Sequence, residues 1–577
     1  MPSSRGGDRR VAALVDALRP HLPESGVLRV PAAARAGHLA ARRAGLAPSH
    51  PLVVVTRTDE EAHRLADDLA AWVGSQHLRT LPERAALPLE RALPEHDESA
   101  ERLSVLANLS SMRGLVLVAP LLALVQRTLS PEQVRAGRTS LQVGERIGQR
   151  DLLTSLVAGG YDPVVEVTGV AEFAHRGGLI DAWPPGLGEP VRIELFGDEI
   201  DSIRTFDPMT QASRRRLTDI DLLPASEFLP ANLWEDAVAA APEHASEHLR
   251  EDAARLEQGD LAEAAETWAA LLTAGPAADH VPATAHLVLT DPDELVALAA
   301  DLDRQAADRH AGLVASGEIP EAWPGPYEAV ATLESLVTRA SEQLDDGGGV
   351  DAGYAAAPPL PGRAERAGAW LGELATAGRR VVVTTDQASR VGELLEESGR
   401  PTASVAELRE LPEPGAIGLV HGSLSAGLAH EPSGLLLLTD RELFGATRVR
   451  RLTSGKRVVT RDLIGKLAPG DHVVHVDHGI ARYVGMTQRT FGDDVKEYLQ
   501  LDFAGTDKIF LPADQIGRIT RYAGGPAPAL SKLGGTEWER TKTRVRRAVG
   551  DLARELIEIY AARESAPGFA FSADTTW

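Results

Sequence analysis

The stretch "GDHVVHVDHGIARYVG", residues 470–485, holds three histidines and two aspartates, which are side chains that ligate zinc and other metal ions. Successive side chains of a strand point to opposite faces. His472 and His478 would therefore share one face, while His475 and Asp477 would share the other. Because three ligands do not converge, we predict no metal site here and expect a strand that supports another function.

Phosphate chemistry is the second possibility. A Walker A loop ends in Gly-Lys-Ser/Thr, because backbone N–H groups and the lysine must surround the phosphates. The Gly-Lys pairs at 455–456 and 465–466 are followed by Arg and Leu, and the position expected for the loop reads "RVPAAARAGHLAARRAG", residues 29–45. We therefore expect no ATP hydrolysis, no catalytic residues and no cofactor for this chain.

The stretch "VRIELF", residues 191–196, contains residue types that suit a protein interface. A strand pattern directs three apolar side chains toward a core, those of Val191, Ile193 and Leu195. Arg192 and Phe196 then lie on the exposed face, as in many interface hot spots, although a snorkelling arginine beside an ordinary surface aromatic is an equal interpretation. Arg176 precedes a Gly-Gly turn that would present its side chain at the edge of the same sheet.

A second candidate interface is the strand predicted over "ARYVGMTQR", residues 481–489. Residues 470–522 contain four or five strand candidates separated by turn residues, which is typical of a small antiparallel barrel. In a barrel that is not fully closed, an edge strand offers unpaired N–H and C=O groups. The strand of another protein can bind them by β-augmentation.

Composition limits what these residues can do. A chain of 577 residues is too long for one core and predicts about three to five domains. The formal net charge of −23 argues against a surface devoted to nucleic acid. The chain has no cysteine, no signal-peptide core and no apolar run long enough to span a bilayer. We expect a soluble cytoplasmic protein with no membrane partner.

The elements that position the candidate residues predict a multidomain α/β and α+β chain. Strand-like runs alternate with helical patterns over residues 30–129, which indicates a parallel-sheet domain, and short strands broken by Gly and Pro then indicate an antiparallel insertion. An acidic, Ala-rich helical segment follows, in which residues 286–295 are a strand candidate that could rejoin the first sheet. The predicted boundaries are 1–127 for the first segment of the α/β domain, 128–216 for the insertion and 217–344 for its second segment.

The rest of the chain begins with residues 345–362, whose linker composition predicts little fixed structure. A basic connector further on could touch nucleic acid or be only a domain-boundary patch. A capping box of Thr536 and Glu539 begins a final amphipathic helix. The predicted boundaries are 363–446 for a second small α/β domain, 447–466 for the connector, 467–530 for the small antiparallel barrel and 531–577 for the terminal helix.

Several motifs, taken together and in chain order, resemble the bacterial transcription-repair coupling factors. They are "LPERAALPLERALPEHDESAERLSVL", "EFAHRGGLIDAWPPG" with "VRIELFGDEIDSIRTFD", "LLLLTDRELFG", "GDHVVHVDHGIARYVG" with "YLQLDFAGTDKIFLPADQIGRITRY", and "KLGGTEWERTK". The resemblance covers nearly the whole chain. It implies a UvrB-like module with a degenerate nucleotide loop, a small α/β domain, and an RNA-polymerase-interacting barrel similar to a CarD or Tudor domain.

The resemblance also implies a function. In that family the complete protein uses ATP to push a stalled RNA polymerase off a lesion and recruits UvrA for nucleotide excision repair of the DNA damage. The sequence ends where the family's DNA translocase would begin, so we interpret it as the amino-terminal half. ATP, magnesium and most contacts with double-stranded DNA would belong to the translocase. The half present here would be a non-enzymatic adaptor for UvrA and the RNA polymerase β subunit.

Site residues are carried over from the family one position at a time. Arg176, Arg192 and Phe196 match positions that face UvrA. For the polymerase β subunit the resemblance implies the strand of residues 482–489. Its candidate contacts are Arg482, Tyr483, Met486, Gln488 and Arg489.

Two other functions stay open. One is an ATP-dependent DNA enzyme of the UvrB type, which the missing phosphate loop disfavours. The other is a CarD-like transcription regulator with an inert amino-terminal body, which would bind RNA polymerase and not UvrA.

Overall fold

A computed structural model describes most of the chain as two compact units, Met1–Arg448 and Val449–Trp577. The described residues are 11–91, 96–109, 111–228, 233–234, 238–239, 241, 246–256, 261, 264–361, 364–445, 470–475, 479–491, 494–505, 507–512, 519–521 and 530–532. The predicted basic connector lies outside them, as does the terminal helix from residue 533 onward.

The first unit is built on a seven-stranded sheet, the main sheet, in which every described neighbouring pair is parallel. In spatial order its strands are Val350–Asp351, Gly26–Arg29, Glu342–Asp345, His286–Thr290, Leu52–Thr56, Val116–Pro120 and Leu78–Thr80. The predicted parallel α/β domain is confirmed. The strand His286–Thr290 does rejoin the first sheet, as its sequence indicates.

Alternate side chains of the strand Leu52–Thr56 enter two different cores. One core is completed by the helices Arg35–Gly45 and Asp59–Val73. The other is completed by the helices Leu121–Val125, Pro292–Ala315 and Ala329–Arg339. Because helices cover both faces of this sheet, its central strands Leu52–Thr56 and Val116–Pro120 are continuous apolar runs that are buried throughout.

The helix Asp59–Val73 illustrates how local sequence sets the ends of an element. Thr58 Oγ1 accepts a hydrogen bond from the Glu61 N–H at 3.3 Å, and three acidic residues occupy the first turn, where the helix dipole favours negative charge. Gly74 ends the helix with φ of 87°, an angle that favours glycine.

The insertion contains a six-stranded sheet, the insertion sheet. In spatial order its strands are Ser213–Leu217, Glu199–Phe206, Val191–Phe196, Leu179–Ala182, Glu172–Arg176 and Asp162–Pro163. All described pairs are antiparallel except the last, and the helix Gln149–Ala158 packs on the core face. A further strand, Asp219–Leu222, pairs with Thr139–Gln142, so the insertion extends beyond the predicted end at residue 216.

The acidic segment after the insertion is mostly helical where it is described, apart from strands such as His286–Thr290. Besides the two long helices already named, it contains Glu247–Leu256 and Ala265–Leu272. Trp268 and Trp323 pack edge to face in its core, with ring centroids 5.0 Å apart. This edge-to-face geometry is the favourable one for aromatic pairs.

The second α/β domain also has a six-stranded sheet. In spatial order its strands are Tyr354–Ala356, Leu428–His430, Leu435–Thr439, Arg380–Thr385, Ile417–His421 and Ser404–Val405. The helices of this domain are Ala367–Thr376, Ala388–Glu397 and Asp440–Phe444. The last begins with a capping box formed by Thr439 and Glu442.

The prediction of little fixed structure over residues 345–362 is wrong. Val350–Asp351 pairs with Gly26–Arg29 in the main sheet, and Tyr354–Ala356 pairs with Leu428–His430 in the second sheet. The segment therefore supplies one edge strand to each sheet. Tyr354, only 6% exposed, packs in the core beside the main sheet, and this burial opposes the flexibility that glycine-rich composition predicts.

Shorter elements complete the first unit. The helices are Val15–Leu18, His96–Asn108 and Pro131–Ala136, and Arg127–Thr128 pairs with Gly275–Pro276. Single turns of 3₁₀-helix occur at Ala12–Leu14, Arg19–His21, Ala32–Ala34, Ser75–His77, Ala277–His280, Ala364–Arg366 and Glu431–Ser433. Within the described part of the chain, no helix is both long and apolar enough to cross a bilayer.

The second unit contains a five-stranded antiparallel sheet, the carboxy-terminal sheet. In spatial order its strands are Lys508–Pro512, Asp494–Asp502, Gly479–Phe491, His472–His475 and Ile519–Arg521. The predicted number of strands and their antiparallel arrangement are confirmed. Closure of this sheet into a barrel stays a prediction.

Candidate functional site

The strand Val191–Phe196 has the two faces that its sequence predicts. Val191 and Ile193 are fully buried and Leu195 is 8% exposed, whereas Phe196 is 83% exposed. Phe196 is the last residue of the strand and comes just before Gly197, whose φ of 64° favours glycine. An aromatic side chain exposed to this extent is free to contact a partner.

Arg192 is on the same face, but it is not a free surface side chain. Its Nε and Nη2 donate to the two Asp181 carboxylate oxygens at 2.7 and 2.8 Å, and its guanidinium lies 4.7 Å from the centroid of the buried Phe206 ring. Its side chain is 22% exposed. The hydrogen bond to Asp181 raises the pKa of Arg192, although burial lowers it. The expectation of an exposed arginine is therefore corrected: Arg192 is half-buried, because its strand neighbour supplies a carboxylate.

Arg176 ends the strand Glu172–Arg176 and is exposed. Its Nη2 donates to the Val165 carbonyl at 2.7 Å, and its cross-strand partner is Leu179. The following turn is tight, since a Cβ added to Gly178 would lie 2.7 Å from the Leu195 carbonyl oxygen. Only glycine fits at that position.

Register brings these exposed residues to one end of the insertion sheet. Arg176 pairs with Leu179 and Leu179 with Glu194, which lies two residues before Phe196. Val165 is 86% exposed and Leu179 is 36% exposed. We call Val165, Arg176, Leu179 and Phe196 the tip surface. It combines exposed apolar side chains with one cation, a composition typical of protein interfaces.

The strand Gly479–Phe491 is interior over its first part and open over its second. Residues 479–482 pair with His472–His475, and the Tyr483 N–H then donates to the Asp471 carbonyl at 2.8 Å. From residue 484 onward, the described chain supplies pairing only from Asp494–Asp502. The prediction of an edge over residues 481–489 is therefore right only in part, because Ala481 pairs with Val473 and residues 482–483 are paired on both sides. We call residues 484–491 the open edge.

The candidate polymerase contacts differ in accessibility. Met486 is 41% exposed, and Arg482 is exposed with its Nη2 3.8 Å from an Asp502 carboxylate oxygen. Tyr483 is only 5% exposed, and burial raises its pKa. Strand alternation places the Tyr483 side chain in the core, and this burial disfavours the expectation that it contacts a partner directly. Gln488 and Arg489 lie in the open edge, with only their backbone described.

The histidine-rich stretch forms the strand His472–His475, while Asp477 and His478 lie outside the described residues. Over the part of the chain that the structure covers, no three His, Asp or Glu side chains are grouped as metal ligands. His472 is the cross-strand partner of Arg482, and Val473 is fully buried. This strand therefore pairs with the interior part of the strand that continues as the open edge.

The carboxyl ends of the main-sheet strands are the usual place for a nucleotide in an open α/β fold. Here charged side chains of the protein itself are paired with one another at that edge. Arg35, at the start of its helix, makes two hydrogen bonds to Asp291 at 2.5 and 2.7 Å. The Ala32 N–H donates to an Asp346 carboxylate oxygen at 3.3 Å, and Arg29 pairs with Asp351. Carboxylates therefore already pair with the N–H and guanidinium donors at this edge of the sheet.

Comparisons with known proteins agree with this arrangement of two interaction domains. A UvrB interaction domain matches residues 139–228, and a CarD-like/TRCF RID domain matches residues 467–523. The transcription-repair-coupling factor of Mycobacterium tuberculosis is 33% identical, with 92% of this chain and 47% of that protein covered. The chain is similar to transcription-repair-coupling factors over most of its length.

The similarity extends across distant bacteria. The transcription-repair-coupling factor of Escherichia coli is 31% identical over 93% of this chain and 48% of its own length. That of Bacillus subtilis is 27% identical over 91% of this chain and 47% of its own length. The chain thus spans about half the length of the curated relatives it matches. The family resemblance inferred from the motifs is confirmed.

Each candidate surface lies inside one matched domain. The tip surface is within the UvrB interaction domain, and the open edge is within the CarD-like/TRCF RID domain. Sequence reasoning missed the partners of Arg192, because the pairing of Asp181 with Arg192 depends on strand register. The Asp in "LIDA" and the Arg in "VRIE" alternate with apolar residues on neighbouring strands, and this is the only signal that could have paired them.

Proposed function

We propose that this chain is a two-partner adaptor of transcription-coupled DNA repair. The tip surface binds UvrA, and the open edge binds the β subunit of RNA polymerase. The observation that carries the proposal is that one chain combines a UvrB interaction domain bearing an 83%-exposed phenylalanine with a CarD-like/TRCF RID domain whose long strand is half open.

The open edge supports β-augmentation in detail. Tyr483 directs its N–H and C=O toward the strand His472–His475, and hydrogen-bonded and non-hydrogen-bonded pairs alternate along an antiparallel ladder. The register shifts by one residue between Tyr483 and Gly485. Beyond this shift, successive residues again direct their N–H and C=O groups to opposite sides of the strand. The N–H and C=O groups of Met486 and Gln488 point away from Asp494–Asp502, to the side that has no partner strand in the described chain. A partner strand would bind those groups.

We further propose that the described part of the chain does not hydrolyse ATP. The Ala32 N–H and the Arg35 guanidinium, which could bind phosphate oxygens at the carboxyl edge of the main sheet, are already paired with Asp346 and Asp291. A DNA-stimulated ATPase assay tests this point. A rate above background that is lost on changing Arg35 would instead favour a UvrB-type enzyme.

The adaptor function is tested by titrating the chain with purified UvrA and, in a separate experiment, with the RNA polymerase β subunit. Saturable binding to both partners is expected. Binding to the β subunit alone would favour a CarD-like regulator. Binding to neither would contradict the proposal.

A further inference from the structure

Three arginines lie in register across adjacent strands of the insertion sheet. Arg192 is the cross-strand partner of Arg204, and Arg204 is the partner of Arg216. Cross-strand partners point to the same face, so all three side chains share the face that carries Phe196. Like charges placed directly opposite each other destabilise a sheet. Such a row therefore requires anions to compensate it.

The carboxylates of the chain neutralise these arginines less completely from Arg192 to Arg204 and from Arg204 to Arg216. Arg192 has two short hydrogen bonds to Asp181. Arg204 has one long contact, from Nη2 to a Glu194 carboxylate oxygen at 3.4 Å, and its Nε is buried without a hydrogen-bond partner. Arg216 is exposed, and no ion pair or hydrogen bond of its side chain is found among the described residues. The deficit of negative charge is thus greatest at the outer strand.

Protection of an edge strand by charged residues is the simplest alternative explanation. Ser213–Leu217 is the outer strand of the sheet, and its exposed arginines would discourage pairing with another chain. That explanation does not require Arg216 to align with Arg204 on the next strand inward. It also leaves the unpaired Nε of Arg204 unexplained. An external anion accounts for the alignment, because it can reach the exposed part of the Arg204 guanidinium, whose side chain is 32% exposed, together with the exposed Arg216.

We propose that Arg204 and Arg216 bind carboxylates of an acidic segment on the protein that docks at the tip surface. This inference rests on the proposed function, in which that protein is UvrA. Guanidinium groups bind carboxylates through paired, charge-assisted hydrogen bonds. The row extends the docking surface from Phe196 across the sheet to its outer strand.

The same face favours a protein segment over nucleic acid. Asp181 and Glu194 lie among the arginines and would repel a phosphate backbone. Exposed apolar side chains, those of Phe196 and Leu179, lie on the same face. Mixed charge beside an exposed aromatic is typical of protein interfaces, and the net charge of the chain is −23.

The test measures the Kd for UvrA at low and at physiological ionic strength. The double variant Arg204→Gln with Arg216→Gln is expected to weaken binding about tenfold at low ionic strength and to reduce its salt dependence. Arg215→Gln is the matched control, because Arg215 is exposed on the other face of the same strand. It should change the Kd less than about twofold. Phe196→Ala should weaken binding while keeping the salt dependence of the unmodified chain.

The outcomes separate the two proposals. If the unmodified chain does not bind UvrA, the proposed function fails and this inference fails with it. If the chain binds UvrA and the double variant behaves like Arg215→Gln, only this inference is overturned. Loss of duplex DNA binding with unchanged UvrA binding would overturn it in favour of a nucleic-acid site. If the double variant melts early, Arg216→Gln alone decides, with about threefold weakening expected and no change contradicting the inference.

Discussion

At the scale of single residues, Phe196 is where exposure and function are most closely linked. A phenylalanine that is 83% exposed contributes little to folding, so Phe196→Ala should change the free energy of unfolding by less than about 0.5 kcal/mol. As an interface hot spot it should lower the affinity for UvrA by about 1–3 kcal/mol. Calorimetric titration and thermal melting measure the two effects.

Met209 is a suitable control for this substitution. It is 80% exposed in the same insertion but lies outside the tip surface, so Met209→Ala should leave UvrA binding unchanged. Equal losses from Phe196→Ala and Met209→Ala would show that general surface hydrophobicity, rather than the tip surface, determines binding.

Arg192 is expected to act on both stability and binding. Because Arg192→Ala leaves the buried Asp181 without its guanidinium partner, it should lower the free energy of unfolding by about 1–3 kcal/mol. Urea titration measures this loss. Asp181→Asn should produce a loss of similar size, since it removes the same charge pair from the other side. If Arg192→Ala weakens UvrA binding with no loss of stability, Arg192 is a direct contact only.

Glu342 provides a pH-dependent test of the main sheet. This carboxylate is buried, with its Oε2 2.9 Å from His38 Nε2, and Arg42 contacts its other oxygen. Burial alone would raise the pKa of Glu342, but the neighbouring His286 and His38 side chains and the charge of Arg42 lower it to about 2. A carboxyl group whose pKa is lowered by folding stabilises the fold at neutral pH. That stabilisation is lost as the pH falls from about 4.5 through about 2.

Glu342→Gln should therefore lower the free energy of unfolding by about 3 kcal/mol near neutral pH. The difference between the unmodified chain and the variant should be smaller near pH 3, where most Glu342 carboxyl groups are protonated in the unfolded chain and part of the stabilisation is lost. Urea titrations at both pH values measure the difference. A gap that stays constant with pH would contradict the predicted ion cluster around Glu342.

At the scale of elements, the open edge predicts a backbone effect. Met486→Pro removes an N–H that faces the unpaired side, and it should weaken binding of the RNA polymerase β subunit more than about tenfold. Met486→Ala keeps that N–H and should cost much less. Circular dichroism must show that both variants keep the carboxy-terminal sheet. If the alanine and proline variants lose equal affinity, the Met486 side chain rather than the backbone makes the contact.

The elements themselves could largely be predicted from sequence, because they depend on local patterns. The apolar runs of the main sheet, the alternation in Val191–Phe196 and the number of strands in the carboxy-terminal sheet all agree with the structure. Apart from the return of His286–Thr290 to the main sheet, pairing between distant strands could not be predicted. The strands of residues 350–356 are short and glycine-flanked, and only long-range pairing with Gly26–Arg29 and Leu428–His430 orders them. The half-open character of Gly479–Phe491 likewise depends on where the antiparallel strand His472–His475 begins, because its first residue pairs with Arg482.

The candidate site residues divide in the same way between what local sequence predicts and what depends on strand pairing. Phe196 and Arg176 were found on exposed positions, because exposure follows from alternation and turn chemistry. Arg192 and Tyr483 differ, because alternation predicts an exposed Arg192 and the resemblance implies a contact at Tyr483, whereas the structure buries much of both side chains. Arg192 is paired with a carboxylate on the neighbouring strand. Tyr483 faces the core, and which residues of its strand face inward depends on the pairing register as well as on the sequence. Accessibility of a side chain in a sheet is therefore a property of the register as well as of the sequence.

At the scale of the whole molecule, the tip surface and the open edge belong to different compact units, within Met1–Arg448 and Val449–Trp577. Substitutions at sites that share no contacts usually have additive effects. The two partners should therefore bind through separate determinants. An adaptor needs this independence, because a change that impairs one docking surface must leave the other available.

The most direct test is a crossed titration of Phe196→Ala and Met486→Pro against UvrA and the RNA polymerase β subunit. Phe196→Ala should lose affinity for UvrA only, and Met486→Pro should lose affinity for the β subunit only. That pattern would establish two independent docking surfaces on one chain. If either variant weakens both partners while remaining folded, or if neither variant weakens its own partner, the two-partner adaptor is contradicted.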